Sequence, residues 1–309
     1  AVIVTGTVVD DLLYEGDRVV GVKARRAGGD VRANVVILAD GANSLLAQKA
    51  GLRSELGNHD IGLGVKELLA LPAKTINERF GLSGNAGAAY AVIGDFARNI
   101  PGGGFIYTNK DSVSIGVVMQ PEALARQKIT TDEVLEQFKA RPEIARLIEG
   151  GRLLEYSGHL VPEAGLAGMP KLYRSGLLVA GDAGGFCVNT GIVLMGMNLA
   201  IASGKCAGDT AVHARQLGDF SAGTLKHYGQ LLEQSIALSA MKTYRRAPQL
   251  MASPRLYDQY PDIANNILEQ MVTYGAGPHA SAAQIVRSEL GKVRLTDLLR
   301  DGWIGGRAL

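Results

Sequence analysis

The chain has 309 residues, 47% of them hydrophobic and 20% charged, a balance that fits a globular protein long enough for two compact units. A net charge of +2 gives no basic excess for binding nucleic acid, and the 40 glycines follow no period of a collagen or repeat array. The 2 cysteines, Cys187 and Cys206, cannot hold a four-cysteine iron–sulfur cluster, and free thiols suit a reducing, cytoplasmic setting.

Residues 1–40 read as a β meander. The apolar run Ala1–Val4 is β-like and does not begin with Met, so a segment is expected upstream. Val2–Asp10 leads into Leu12–Tyr14, Glu15-Gly16-Asp17 turns a hairpin, and Arg18–Arg25 returns. After a turn at Gly28–Asp30, the continuous apolar run Val35–Ala39 is expected to be buried on both faces, as in a parallel sheet. It ends at Asp40-Gly41, and a helix is expected over Ser44–Gly51. Residues 60–120 read as antiparallel sheet, with strands at Ile61–Leu71, Ala86–Ile93, Gly104–Thr108 and Ser112–Met119. Pro101–Gly104 reads as a turn, or else as a backbone wall of a site. Thr130 and Glu133 have capping-box spacing ahead of a helix carrying Val134, Leu135 and Phe138. A helix is expected after Pro142 and a strand over 151–162. Leu177–Ala180 repeats the buried-strand pattern, ends at Gly181-Asp182 and enters a Gly-rich loop, then a helix over Met197–His213. The remainder, 219–309, reads as helical, with breaks at Pro248, Pro254, Pro261 and Pro278. No apolar run approaches the roughly 18 residues of a spanning helix, and no signal peptide is visible.

Two segments carry the chemistry. Each is an apolar strand that ends in an acidic residue beside glycine and then enters a helix: Val35–Ser44, with Asp40-Gly41, and Leu177–Gly185, with Gly181-Asp182. Ligands of open α/β sheets bind beyond the carboxyl ends of the strands. A carboxylate there accepts from ribose or ribityl hydroxyls, glycine lets a long cofactor lie against bare backbone, and a helix N-terminus offers N–H groups to anionic atoms. Either segment alone is usually no more than a turn. The pair, about 140 residues apart around an antiparallel stretch, is far more specific.

That arrangement resembles the FAD-binding superfamily of p-hydroxybenzoate hydroxylase and geranylgeranyl reductase. The stretches Gly181–Gly191 and Gly196–Gly204, Ala39–Ala47 and the tail Leu298–Trp303 resemble, more narrowly, the FixC branch of the electron-transfer-flavoprotein:quinone oxidoreductase family. The resemblance implies an α/β (α+β) fold with a Rossmann-like FAD domain in two parts, 1–58 and 163–215. An antiparallel substrate or partner domain over 59–162 and a helical C-terminal region over 216–309 complete it. The family's opening GxGxxG turn does not occur in this chain. The implied cofactor is FAD, with Asp182 on the ribityl chain, Gly181 and Gly184 giving clearance, and Asp40, Gly41 and Ser44 bracing the first loop. Thr190 and Gly191 belong to the second loop, and the backbone at Gly196, Met197 and Asn198 faces the N1/C2 edge of the flavin. The flavin does the redox chemistry, so no separate catalytic residue is expected. The implied activity passes electrons from an electron-transfer flavoprotein to quinone or a ferredoxin-like partner, in nitrogen fixation or carnitine metabolism. Peripheral membrane contact stays open.

Blander roles compete at several positions. Cys187 reads as a small buried hydrophobe before it reads as a redox group, and Cys206 as helix packing. His159, His213 and His227 lack metal-ligand spacing and read as structural. Met195 and Met197 read as packing. Lys242–Arg246 with Arg255 reads as a solvated helix face, the sharper alternative being a docking surface for an acidic redox partner. Alternative functions are an isoprenoid reductase, an aromatic monooxygenase, disfavoured because Gly184-Gly185-Phe186 follows Gly181-Asp182, and a cofactor-free module.

Overall fold

A computed structural model of the chain describes residues 1–97, 99–190, 193–274 and 279–308. The fold divides into two compact units, Ala1–Asp60 with Val161–Arg245 and Ile61–Leu160 with Arg246–Leu309.

The first unit opens with a meander of β1 (Val9–Glu15), β2 (Arg18–Ala24) and β3 (Asp30–Arg32), paired antiparallel in the order β1-β2-β3. Gly16, at φ 57°, supplies the left-handed residue of the hairpin. The apolar opening run forms no strand: Val2 and Ile3 are 91% and 87% exposed, and pairing starts only at Val9. β4 (Val36–Leu38) follows, then the short helix α1 (Leu45–Lys49). Val36 and Leu38 are buried, but Ile37 is 39% exposed, so burial on both faces is not realised.

The second unit contains β5 (Ile61–Ala70), α2 (Ala73–Phe80), β6 (Ala89–Val92), β7 (Gly102–Thr108) and β8 (Ser112–Met119). After them come α3 (Pro121–Gln127), α4 (Thr131–Lys139), α5 (Pro142–Ile148) and β9 (Arg152–Pro162). The strands lie in the order β6-β7-β8-β5-β9. Val113, Ile115 and Val117 alternate inward along β8 and pack with Ile106, Leu69 and Phe138 of α4. Gly102–Gly104 begin β7 rather than making a turn. The reason is packing: a Cβ on Gly104 would stand 2.6 Å from the Phe138 ring. The capping box at α4 is present, with Glu133 N donating to Thr130 Oγ1 at 3.2 Å and Thr130 N donating to Glu133 Oε2 at 2.7 Å. The short helices α2 and α3 were not expected; each begins at a proline, Pro72 as N-cap and Pro121 in the first turn.

Back in the first unit, β10 (Tyr173–Arg174) and β11 (Leu177–Val179) join β4 in the order β10-β11-β4. β11 and β4 are parallel, with Leu177, Leu178 and Val179 opposite Val36, Ile37 and Leu38. Ile37 therefore shares the face of Leu178. That face is covered at β11, where Leu178 packs in a cluster with Leu199 and Tyr228, but not at the outer strand. The small hairpin of β12 (Val188–Asn189) and β13 (Leu194–Met195) leads into α6 (Met197–Leu217). α7 (Ala222–Leu225), α8 (His227–Glu233) and α9 (Ile236–Thr243) follow, and Leu199, Tyr228, Leu232 and Met241 close the core beneath.

The second unit ends with α10 (Ala247–Met251), α11 (Gln259–Val272), α12 (Ala282–Leu290) and α13 (Leu295–Ala308). The helical tract 216–309 thus passes from the first unit to the second at Arg246. The helical tract breaks near Pro248, Pro254 and Pro261 as expected, and each proline stands at the start of the next helical segment. Pro248 and Pro261 lie in the first turns of α10 and α11, and Pro254 opens a 3₁₀ turn. A first-turn residue needs no N–H of its own, so proline is accepted there. Pro278 lies outside the described residues. Arg255 leaves the proposed basic face: its Nε and Nη2 grip Asp301 at 2.7 and 2.9 Å, and Tyr260 donates to the same carboxylate at 2.6 Å. Among the described residues, no helix is long and apolar enough to cross a membrane.

Candidate functional site

The site grows from the parallel pairing of β4 with β11. Since Val179 lies opposite Leu38, the turns that follow leave from the same end of adjacent strands. Ala180 N donates to Leu38 O at 2.9 Å and holds the two exits together. Asp40 and Asp182 stand two and three residues beyond the last paired residues, at the carboxyl edge where open α/β sheets bind ligands.

Each turn needs a left-handed residue directly beside its acid, and glycine provides it: Gly41 at φ 77° and Gly181 at φ 62°. No atom stands within 4 Å of where a Cβ on Gly41 would be. The second turn is a 3₁₀ turn over Gly181–Gly184, closed by Phe186 N donating to Gly181 O at 3.1 Å. A Cβ on Gly184 would press on the Phe186 ring at 2.8 Å, so packing requires this glycine. Two side chains anchor the turn. Ser203, on α6, accepts from Gly181 N at 3.0 Å and donates to Ala200 O at 2.9 Å. Tyr228 donates its buried hydroxyl to Val179 O at 3.0 Å.

The first turn is held differently. Ser44 is fully buried at the N-cap of α1, in the left-handed region at φ 41° and ψ 47°, and makes no capping bond. That conformation costs a residue with a side chain about 1–2 kcal/mol. Its Oγ has no hydrogen-bond partner. The brace comes from Arg53, which was not singled out from the sequence. Its Nη1 donates to Ala183 O at 3.0 Å, with longer contacts to Ala42 O at 3.4 Å and Asp182 O at 3.5 Å. One side chain thereby ties both turns together. Arg53 is 8% exposed, and burial draws its pKa down while the charges of Asp40, Asp60 and Asp182 oppose that shift.

The other expected residues fall nearby in the same unit, with distinct local roles. Thr190 closes the β12–β13 hairpin: its N–H and hydroxyl both donate to Val193 O at 3.0 Å. Gly191 lies outside the described residues. Gly196 is the N-cap of α6, where a Cβ would sit 3.5 Å from Cys187 Sγ. Met197 is 80% exposed and so does not serve as packing, and Asn198 is exposed beside it. The N–H groups of this first helical turn lack intrahelical acceptors by geometry. Cys187 is buried, and that burial, with the charges of Asp182 and Glu163, pushes its thiol far above the ordinary range. It is a packing residue, not a thiolate. Glu163, just beyond β9, is half-buried, and desolvation raises its pKa to about 7. An acid directly after the run Leu160-Val161-Pro162 was the available sequence signal for it. His213 and His227 rest against each other, ring centroids 4.4 Å apart. Among the described residues, no group of three or more His, Cys, Asp or Glu could hold a metal ion.

Residues 247–309 match the ETF-QO/FixC family C-terminal domain. The chain is 43% identical over 307 residues to the probable electron transfer flavoprotein-quinone oxidoreductase YdiS of Escherichia coli K12, covering 99% of this chain and 71% of that protein. It is 41% identical over 306 residues to Protein FixC of the same organism, with the same coverage. Among solved structures it resembles a geranylgeranyl bacteriochlorophyll reductase-like protein of Thermoplasma acidophilum, at a TM-score of 0.60 and 18% identity over 96% of this chain and 69% of that one. It also resembles the flavin-dependent halogenase CmlS, at a TM-score of 0.52 and 16% identity over 95% and 56% of the two chains. The structural likenesses bear on the fold alone, and they agree with an α/β (α+β) fold of the p-hydroxybenzoate-hydroxylase type. On the sequence relationship, the chain belongs to the electron-transfer-flavoprotein:quinone oxidoreductase/FixC family.

Proposed function

We propose that the chain is an FAD-dependent electron-transfer oxidoreductase that receives electrons from an electron-transfer flavoprotein and passes them to quinone or a ferredoxin-like protein. The observation that carries this reading is the in-register pairing of β4 with β11, which sets the Asp40 and Asp182 turns at one sheet edge. The names of YdiS and FixC supply the partner classes. The isoprenoid-reductase alternative draws only on a shared fold at 18% identity.

The residues present suit a flavin nucleotide. A buried serine hydroxyl and two buried guanidinium nitrogens lack protein partners, and the space beside Gly41 is open. Asp182 would accept from the ribityl hydroxyls, with Gly181 and Gly184 keeping the backbone bare for close approach. Gly41 and Ser44 would border the other side of the same edge. Thr190 would shape the loop ahead of α6. The first N–H groups of α6, at Gly196, Met197 and Asn198, would face the ring edge that becomes more negative on reduction, and fixed donors there raise the potential. Bound FAD supplies the one- and two-electron chemistry. The second unit, built on the antiparallel sheet of the 59–162 segment, is the proposed partner- or substrate-facing domain.

The test is reduction of the purified, flavin-loaded protein by reduced electron-transfer flavoprotein. Rapid bleaching of the bound flavin supports the reading. A flavin that reduced electron-transfer flavoprotein leaves oxidised, while NAD(P)H reduces it readily, contradicts it.

A further inference from the structure

Arg53 presents a buried group that the proposed roles leave unused. Its Nη1 is committed to the backbone carbonyls of the two turns. Its Nε and Nη2 are buried and have no hydrogen-bond partner. These two nitrogens share one side of the guanidinium plane and point parallel N–H groups outward, the fork that matches two oxygens of a phosphate or carboxylate. A guanidinium does not shed its proton to escape burial, so an unmatched fork in a site 8% exposed is a standing cost. The nearby acids do not relieve the fork: Asp40, Asp60 and Asp182 influence Arg53 electrostatically, yet both nitrogens stay without a partner. A ligand oxygen pair would remove that cost.

We propose that Arg53 is a cofactor-holding residue whose Nε–H and Nη2–H fork binds a phosphate of the flavin nucleotide while its Nη1 staples the two turns. The inference rests on the flavin reading and adds a buried cation beside the acids Asp40, Asp60 and Asp182. The Nη1 contacts with the Ala42 and Ala183 carbonyls fix the guanidinium, so the fork and the phosphate assigned to it lie on the edge of the group opposite those carbonyls.

The experiment titrates FAD, FMN and riboflavin into flavin-free wild type, Arg53→Gln and Arg53→Lys by quenching of flavin fluorescence, with thermal melts of each flavin-free protein alongside. Arg53→Gln is expected to weaken FAD and FMN about tenfold or more and riboflavin by less than about twofold. Arg53→Lys keeps the charge without the fork and should fall between. Unchanged FAD affinity in Arg53→Gln, with a lower melting temperature, overturns the proposal and leaves Arg53 a staple. Equal weakening of riboflavin overturns the phosphate assignment. Should neither variant fold, the Arg53 Nε–H resonance of wild type decides: a downfield shift with FMN and none with riboflavin supports the fork, and no shift with either overturns it. A wild type that binds none of the three flavins sinks the flavin reading itself, and this inference with it.

Discussion

The two acidic turns share one sheet edge but are built on different terms. The Asp182 turn stands on a strand whose three residues are fully buried, is pinned from below by Tyr228 and from the side by Ser203, and leads towards the 21-residue helix α6. The Asp40 turn stands on an outer strand with Ile37 exposed and passes through left-handed Ser44. It enters a five-residue helix and relies on Arg53 from beyond that helix. The first is preorganised by its own core. The second leaves a buried serine hydroxyl and an arginine fork without protein partners. Unsatisfied groups and left-handed backbone gather where a ligand completes the structure.

The largest test of that difference is Tyr228→Ala. Removing a fully buried aromatic and its hydroxyl beneath the Asp182 turn should cost about 3–5 kcal/mol in denaturant unfolding of the flavin-free protein. A loss below about 1 kcal/mol would break the claim that this turn is anchored by the core. Next comes Asp182→Ala, which should lower FAD affinity by about tenfold to a hundredfold, against a smaller loss for the exposed Asp40→Ala. Stoichiometric flavin in a stable Asp182→Ala protein would remove the ribityl role.

The third test is pH. The folded-state pKa of Glu163 is raised to about 7, above its ordinary value of 4.5, so the folded protein binds more protons than the unfolded chain between those values. Stability from this residue is therefore fully present below about pH 4.5 and is lost as pH rises through 7. The loss is of the order of 2 kcal/mol, part of the shift being screened because the residue is only half-buried. Unfolding titrated from pH 5 to 8 should show that slope in wild type and a flatter one in Glu163→Gln. The smallest effect is Ser44→Gly. It relieves left-handed strain and should stabilise the flavin-free protein by up to about 1 kcal/mol while weakening flavin binding, since the hydroxyl is gone. A loss of stability would mean that the Ser44 conformation is relaxed, not strained.

Local pattern revealed the two strands and their turns, because three-residue apolar runs closed by Asp40-Gly41 and Gly181-Asp182 follow from side-chain and turn chemistry alone. It also revealed the capping box at Thr130, which needs only four residues. What escaped depends on contacts distant in the chain. Arg53 meets Ala183 across 130 positions, and nothing in its own neighbourhood marks it. Gly102–Gly104 read as a turn because the Phe138 ring that demands a glycine in β7 lies more than thirty residues away. Ile37 looked like its buried neighbours because the run carries no record of where covering helices stop.

The central claim is that both turns close on one flavin nucleotide. Hydrogen–deuterium exchange of the protein with and without FAD measures this most directly. Slower exchange is expected at the amides of residues 41–46 and of 181–199 together. Protection of only one of the two segments, or of neither while FAD is bound, would contradict it.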